Sequence, residues 1–197
     1  MTFISTILED EAPADVKQMY ADDLNAKGYI PNYTRLFSHR PQVMAAWGNL
    51  LGSIKVNMDL RRYELVTLAA ARALKSSYCM LAHGSVLRQK FYTAEQLTQI
   101  ARDYQTADLT AAEVAMMAYA EQIARDATAI TQEDIDALRE HGFSDAEIFD
   151  IAATATARCF FSKTLDALGA QADEVYQGLE EGLRETLTVG RPIDGQD

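Results

Sequence analysis

Apolar residues recur at intervals of three and four along most of the chain, which is the spacing of one face of an α-helix. This spacing predicts helices in "APADVKQMYADDLNAKGY" (12–29), "PQVMAAWGNLLGSIKV" (41–56) and "DLRRYELVTLAAARAL" (59–74). No segment shows the two-residue alternation of apolar and polar positions that is typical of a half-buried strand. The pattern therefore predicts an all-α protein of about eight helices.

Several helix starts are marked by capping sequences. Thr93, Thr110 and Ser144 are each followed three residues later by Gln or Glu. In this arrangement the two side chains accept hydrogen bonds from each other's backbone N–H groups. Thr131 begins a weaker version with Asp in the third position, and Asp59 is expected to cap the helix that follows it.

The chain length of 197 residues fits one domain with a sizeable core. We expect a single helical domain over residues 1–187. The segment "IPNYTRLFSHRP" (30–41), with a proline near each end, is predicted to be a connector. Residues 188–197, which include "VGRPIDGQD", are predicted to form a mobile C-terminal tail.

Composition and charge exclude several classes of partner. The formal net charge of −11 argues against binding to nucleic acid or to an anionic membrane surface, because both would repel the chain. No run approaches the roughly 18 apolar residues of a membrane-spanning helix. The first residues lack the basic region of a secretory signal, and two cysteines make no disulfide framework. A cytoplasmic protein with reduced thiols is the expectation.

Neither a metal nor a cofactor is predicted. The three histidines are scattered along the chain, and no pair of them stands at the spacing of metal ligands. A glycine-rich loop that could hold a phosphate group is also missing from the sequence.

The segment "KSSYCMLAH" (75–83) carries the candidate chemistry. Ser76 or Ser77 is a suitable N-cap, which places Cys79 in the first turn of a helix. Free backbone N–H groups and the helix dipole favour an anion there, so the thiolate of Cys79 would be a good nucleophile. His83 lies one turn further on the same face and could carry its proton.

Glu64 completes this candidate site from the preceding helix. It stands on the apolar side of "YELVTLAA", where a carboxylate needs a partner, and His83 is the natural one if the two helices pack antiparallel. Both residues also have a purely structural explanation. Cysteine is among the most buried residue types, so Cys79 could be a core residue, and Glu64 could be a solvated helix residue.

Residues 64–83 resemble the AhpD-like alkylhydroperoxidase group within the carboxymuconolactone decarboxylase superfamily. The motif of that group is a glutamate, eleven further residues, and then Cys-x-x-Cys-x-x-x-His. In "ELVTLAAARALKSSYCMLAH" the matching positions are Glu64, Ser76, Cys79 and His83. The segment "FFSKTLDALGAQAD" near the C-terminus is similar to the peroxidase-related branch. The resemblance implies a helical AhpD-like fold and a homo-oligomer.

The resemblance also implies a role for each motif residue. Cys79 would be the thiol that attacks a hydroperoxide, with Glu64 and His83 as its proton relay. The departure is Ser76, which stands where the group has its resolving cysteine. A serine cannot form the disulfide that completes the group's cycle, so an external thiol would be the reductant.

The second cysteine, Cys159, suggests a different comparison. "EIFDIAATATARCFFSKTLD" can be aligned with "ELVTLAAARALKSSYCMLAH", so that Cys159 falls on Ser76, Ser162 on Cys79 and Asp166 on His83. One explanation is a diverged internal duplication, giving two similar halves. The other is that alanine-rich amphipathic helices resemble one another. Cys159 could reach Cys79 only if their Cα atoms lie within about 7 Å.

Three functions are consistent with the sequence. The leading hypothesis is an antioxidant oxidoreductase, a thiol-dependent peroxidase that uses Cys79. The second is an acid–base enzyme like the lactone decarboxylases of the superfamily, in which Glu64 and His83 move protons on a small organic acid. The third is a non-catalytic oligomeric relative. The first predicts a reactive thiol, and the second predicts activity that survives loss of Cys79 but not of His83.

Overall fold

The computed structural model of the chain describes residues 2–195, which contain ten α-helices and no β-strand. The all-α prediction is confirmed. In chain order the helices are α1 (Ala14–Lys27), α2 (Asn32–Leu36), α3 (Pro41–Lys55), α4 (Leu60–Ala73), α5 (Ser77–Lys90), α6 (Ala94–Asp103), α7 (Ala111–Asp126), α8 (Gln132–Glu140), α9 (Asp145–Ala167) and α10 (Glu181–Leu187).

The number of helices exceeds the predicted eight because two of the ten are short. Helix α2 has five residues and lies within the segment that was predicted to be a connector. Helix α10 has seven residues. Segments of one or two turns hold too few apolar positions for a helical period to show in the sequence. None of the helices within residues 2–195 is long and apolar enough to cross a membrane.

The caps predicted at Thr93, Thr110 and Ser144 form the expected hydrogen bonds. The side chains of Thr93, Thr110 and Ser144 each accept from a backbone N–H group at the start of α6, α7 and α9, respectively. The carboxylate of Glu147 accepts from Ser144 and also pairs with Arg62. Hydrogen bonds from Ser144 and Arg62 lower the pKa of Glu147 to about 2.

Helix α4 lies at the centre of the molecule. Residues 63–71 are all buried, and the helix packs against α5, α7 and α9. Ala69, Ala70 and Ala71 are completely buried, and their small side chains let the neighbouring helices approach closely. Because every face of this stretch is covered, the polar residues within it must find partners inside the protein.

The turn between α4 and α5 sets the position of Cys79. Lys75 adopts a left-handed backbone conformation, with φ of 56°. The N–H group of Ser76 donates to the carbonyl oxygen of Ala71 at 3.0 Å, which closes α4. Helix α5 begins two residues after Lys75, so Cys79 is in its first turn, as the sequence predicts.

The C-terminal segment packs against this turn. Ile193 is completely buried, and the N–H group of Asp194 donates to the carbonyl oxygen of Ala172 at 2.8 Å. The N–H group of Gly190 donates to Oγ of Ser77 at 2.7 Å. Residues 188–195 therefore differ from the mobile tail that the sequence suggested, and residues 196–197 of that tail lie outside the described residues. The single domain over residues 1–187 stays a prediction.

The two segments that the sequence aligns have different shapes. Residues 64–83 are divided between α4 and α5 by the turn at Lys75. Residues 147–166 belong to the single continuous helix α9, which has 23 residues. The alignment nevertheless pairs two residues that meet, because Oγ of Ser162 donates to Sγ of Cys79 at 3.0 Å.

The first prediction concerns Gly190. A Cβ atom at this position would lie 2.2 Å from the carbonyl oxygen of Lys75, a backbone atom that cannot move aside alone. We expect Gly190→Ala to lower the free energy of unfolding by about 1–3 kcal/mol, as for other overpacked sites. Urea unfolding measures this. Gly182→Ala is the matched control, because nothing lies within 4 Å of a Cβ there. Equal stability of both variants would show that residue 190 does not pack as described.

Candidate functional site

A cavity of about 400 Å³ lies between α3, α4, α5 and α9. Its lining includes Glu64, Cys79 and His83, three of the four motif residues. Much of its wall is aromatic, with Trp47 stacked on Phe161 at 5.0 Å between ring centroids. The cavity therefore brings the candidate nucleophile and the candidate proton relay to one space that a small molecule could enter.

Glu64 and His83 form a direct pair. Oε2 of Glu64 lies 2.5 Å from Nδ1 of His83, so the ring nitrogen and the carboxylate share a hydrogen bond between α4 and α5. Glu64 is only 3% exposed, which excludes the alternative of a solvated helix residue. With its carboxylate held in this way, Glu64 orients the imidazole and leaves Nε2 as the ring nitrogen available for proton transfer.

The environment favours the neutral form of His83. Burial lowers the pKa of His83 below 6.5, and the positive charge of Arg158 acts in the same direction. Glu64 opposes both effects by its charge and its hydrogen bond. Because folding lowers this pKa, the unfolded chain binds more protons in the affected range. The free energy of unfolding therefore decreases as pH falls below 6.5, where the histidine takes up a proton more readily in the unfolded chain than in the folded one.

The sulfur of Cys79 has two polar neighbours from α9. Oγ of Ser162 lies 3.0 Å from Sγ, and Nη1 of Arg158 lies 3.5 Å from it. Cys79 is only 1% exposed, so it has the burial of a core residue while also lining the cavity. A cationic donor and a hydroxyl donor at one sulfur stabilise its thiolate form, because both interactions are stronger with an anion.

Arg158 is the site residue that the sequence analysis missed. It is 3% exposed, and its guanidinium group stacks near Trp47 and Phe161, with 5.8 Å and 5.5 Å between the guanidinium carbon and the ring centroids. Within residues 2–195 it forms no ion pair with a carboxylate, and its Nε atom has no hydrogen-bond partner. The Cys79 sulfur and the Tyr63 hydroxyl are the groups that favour its charged form.

One sequence signal could have revealed Arg158. It stands in "TATARCFF", where it is the lone charged residue among small and aromatic neighbours. A charged side chain on the apolar face of a helix is costly to bury unless a partner or a ligand compensates it. The partner could not be identified, because the contact with Cys79 joins residues that are far apart in the chain.

Ser76 occupies the N-cap position of α5 but is not part of the cavity lining. It is completely buried, and its hydroxyl makes no capping hydrogen bond. Its side chain faces Asp166, whose pKa is raised by burial, an effect that the Ser76 hydroxyl partly opposes. The motif position of the resolving cysteine therefore lies behind the cavity wall and holds no group that reaches the cavity.

Tyr78 shapes the wall next to Cys79. Its hydroxyl donates to Oδ2 of Asp173 at 2.5 Å and accepts from the N–H group of Tyr33 at 3.2 Å. Burial, together with the nearby Asp173 carboxylate, raises the pKa of Tyr78 well above 10. This ring is thus a fixed neutral wall of the cavity.

Cys159 is free, as is Cys79, and it is half-buried. Although it follows Arg158 directly, it is not among the residues that line the cavity. Burial raises the pKa of its thiol, which disfavours the thiolate and makes Cys159 a poor nucleophile. No group of three or more His, Cys, Asp or Glu side chains that could hold a metal ion occurs in the described part of the chain.

The motif region matches a known family. The sequence profile of the carboxymuconolactone decarboxylase family matches residues 41–122, which contain Glu64, Ser76, Cys79 and His83. The segment that holds the candidate site is therefore similar to the carboxymuconolactone decarboxylase family. Arg158 and Ser162 lie outside the matched segment, so the profile does not describe these two contacts of the Cys79 sulfur. Among curated proteins, none matches the chain in sequence.

Solved structures share the fold of this chain. The AhpD core of a peroxidase-related protein from Ralstonia eutropha JMP134 is 24% identical, with a TM-score of 0.80; the match covers 89% of this chain and 94% of that one. A peroxidase-related protein from Silicibacter sp. TM1040 is 23% identical, with a TM-score of 0.77, and the match covers 88% and 94%.

A third solved structure has a different activity. The debrominase Bmp8, a variant of which was solved with 2,3,4-tribromopyrrole, is 19% identical with a TM-score of 0.72, and the match covers 95% of this chain and 96% of that one. At such identities the similarity establishes the AhpD-like fold. It does not identify the reaction of this chain.

The second prediction tests the pair of Glu64 and His83. In Glu64→Gln the charge that raises the pKa of His83 is removed, whereas burial and Arg158 continue to lower it. We expect the pKa of His83 in this variant to fall below its value in the wild-type protein. An NMR titration of the imidazole Cε1–H signals, assigned with His83→Asn, measures it. A pKa that stays the same or rises would show that Glu64 does not act on His83.

Proposed function

We propose that the protein is a thiol-dependent peroxidase that reduces hydroperoxides through Cys79. The observation that carries this proposal is the pair of contacts at the Cys79 sulfur, which receives hydrogen bonds from Arg158 and Ser162 at the base of a cavity. This is an environment in which a thiolate is stabilised and remains open to a small molecule. The peroxidase-related names of two structural relatives support the proposal.

The reaction would proceed by attack of the thiolate on the peroxide. The Cys79 sulfur forms a bond to one oxygen of ROOH, the O–O bond breaks, and RO⁻ leaves and takes a proton to become ROH. The sulfur is oxidised to a sulfenic acid as the peroxide is reduced. His83, which the cavity keeps neutral and Glu64 orients, would first take the proton of the Cys79 thiol and then donate it to the leaving oxygen, as general base and then as general acid.

Regeneration of the thiol would need an external reductant. Ser76 has no sulfur, and the position it occupies is not part of the cavity lining. The partners of the proposed enzyme are therefore a hydroperoxide and an external thiol, in keeping with a reducing cytoplasm. Its assembly as a homo-oligomer stays a prediction.

Acid–base chemistry is the second candidate. The observation in its favour is that Glu64 and His83 form a complete pair at 2.5 Å without Cys79, whose polar contacts are with α9. In a reaction like that of the lactone decarboxylases, this pair would move a proton on a small organic acid while Cys79 served only as part of the wall.

The third prediction separates the two candidates. We expect Cys79→Ser to abolish peroxide consumption in the presence of an external thiol, and Cys159→Ser to retain it, because Cys159 does not line the cavity. A coupled peroxide assay and mass spectrometry of a trapped sulfenic acid measure both. Peroxide turnover in Cys79→Ser would contradict the peroxidase proposal. Turnover of a small lactone acid that survives Cys79→Ser but not His83→Ala would establish the acid–base candidate.

The fourth prediction concerns Arg158. In Arg158→Met the cation next to the Cys79 sulfur is removed but much of the apolar stem remains. We expect the rate of Cys79 alkylation by iodoacetamide at pH 7 to fall about tenfold, because a lost charge-assisted contact contributes about 1.5 kcal/mol to the thiolate. The measurement is made in a Cys159→Ser background. The exposed Arg125, which lies outside the cavity lining, supplies the control variant Arg125→Met. Equal rates in the two variants would remove Arg158 from the mechanism.

A further inference from the structure

The cavity of this acidic protein carries a local excess of positive charge. Three of the lining residues, Lys27, Lys55 and Arg158, are cationic, and one, Glu64, is anionic. Lys27 is compensated by an ion pair with Asp23. The whole chain has a net charge of −11, so an anion is repelled by most of the surface but not by this cavity.

Lys55 marks the solvent end of this positive region. Its side chain is exposed, and its Nζ atom lies over the ring of Tyr63, 4.5 Å from the ring centroid. Within the described residues it pairs with no carboxylate. The hydroxyl of the same tyrosine contacts Arg158. One tyrosine side chain therefore separates the exposed cation from the buried one. The positive charges of Arg158 and Lys55 both lower the pKa of His83.

The charge of the cavity changes during the proposed reaction. In the proposed reaction, the thiolate form of Cys79 would compensate the guanidinium group of Arg158, whose Nη1 atom lies 3.5 Å from Sγ. A sulfenic acid is neutral, so oxidation of the thiolate raises the charge of the cavity by one and leaves Arg158 without a compensating anion. The positive potential is thus greatest at the step at which a reductant must enter.

We propose that the reductant of oxidised Cys79 is a small thiol that carries a carboxylate. Its carboxylate would pair with Lys55 at the cavity entrance, and its thiolate would lie next to Arg158 at the base. This inference rests on the proposed peroxidase function and adds the chemical class of the second substrate. A protein thiol fits the structure less well, because Cys79 is 1% exposed and lies at the base of a cavity of about 400 Å³.

The chemistry requires two molecules of the thiol, RSH. The thiolate RS⁻ attacks the Cys79 sulfur, a disulfide bond forms, the S–OH bond breaks, and the leaving hydroxide takes a proton to become water. A second RS⁻ attacks the R-bearing sulfur of the mixed disulfide, which releases RSSR and restores the Cys79 thiolate. Two electrons from the two thiols balance the two that the peroxide removed.

The test compares small thiols of different charge on the full chain with Cys159→Ser. The protein is oxidised with one equivalent of peroxide, and the sulfenic acid is confirmed by mass spectrometry of its dimedone adduct. Reduction by 3-mercaptopropionate, 2-mercaptoethanol and cysteamine is then followed by recovery of the Cys79 thiol. Each rate is divided by the thiolate fraction of the reagent, so that differences in thiol acidity do not enter.

The expected result is that anionic 3-mercaptopropionate reacts fastest and cationic cysteamine slowest. In Lys55→Gln the ratio of the rates with 3-mercaptopropionate and 2-mercaptoethanol should fall about two- to fivefold, the range that one partly exposed ion pair contributes. In Lys55→Glu it should fall further. Lys90→Gln is the matched control, because Lys90 is an exposed lysine of α5 outside the cavity lining. In this variant the ratio of the two rates should equal that of the Cys159→Ser protein.

Two results would overturn the inference while leaving the peroxidase proposal intact. One is a ratio that does not depend on Lys55. The other is faster reduction by a thioredoxin than by any of the small thiols at equal thiol concentration. Failure to trap a sulfenic acid at Cys79 is a different outcome, because it would overturn the peroxidase proposal itself and the inference that rests on it.

Discussion

The burial of α4 on every side is the constraint on which the site depends. Nine consecutive residues of this helix, 63–71, are covered by α5, α7 and α9. Glu64 lies within that stretch, so its carboxylate cannot reach bulk water and must be satisfied by another helix. His83 from α5 provides the partner, and the same packing brings α9, with Arg158 and Ser162, against the first turn of α5.

Two charged groups, Glu64 and Arg158, are therefore buried in the wall of one cavity, but they are compensated unequally. Glu64 has a hydrogen-bonded partner, whereas Arg158 has no carboxylate within the described residues and relies on Cys79, Tyr63 and the faces of two aromatic rings. Aromatic faces attract a guanidinium group but do not replace an anion. The guanidinium group of Arg158 therefore depends on the Cys79 sulfur for part of its compensation, so the packing of α9 against α5 also determines the surroundings of the candidate nucleophile.

The sequence predicted those parts of the site that lie close together in the chain. The spacing of Cys79 and His83 within one helix, and of Glu64 in the helix before it, could be interpreted because helical periodicity and capping rules act over a few residues. Arg158 and Ser162 could not be assigned in the same way. Their contact with Cys79 depends on how α9 packs against α5 across about eighty residues of chain, which no local rule describes.

The dependence on contacts between distant residues, and the shortness of some helices, also explain where the observed fold differs from the predicted one. Helices α2 and α10 are too short to show a period, and the packing of Ile193 depends on a bridge to Ala172 that joins distant segments. The alignment of residues 147–166 with residues 64–83 illustrates the opposite case. It did not indicate that residues 147–166 form one continuous helix where residues 64–83 turn at Lys75, yet it paired Ser162 with Cys79, two residues that touch in the folded chain.

Trp47 gives the molecule a built-in optical reporter. It is the single tryptophan of the chain, it lines the cavity, and its ring is stacked on Phe161 and lies close to the guanidinium group of Arg158. Indole emission responds to charge and polarity near the ring. Entry of a molecule into the cavity, or a change in the charge of the sulfur that Arg158 contacts, is therefore coupled to the intrinsic fluorescence of the protein, so that events at the thiol can be followed in real time without a label.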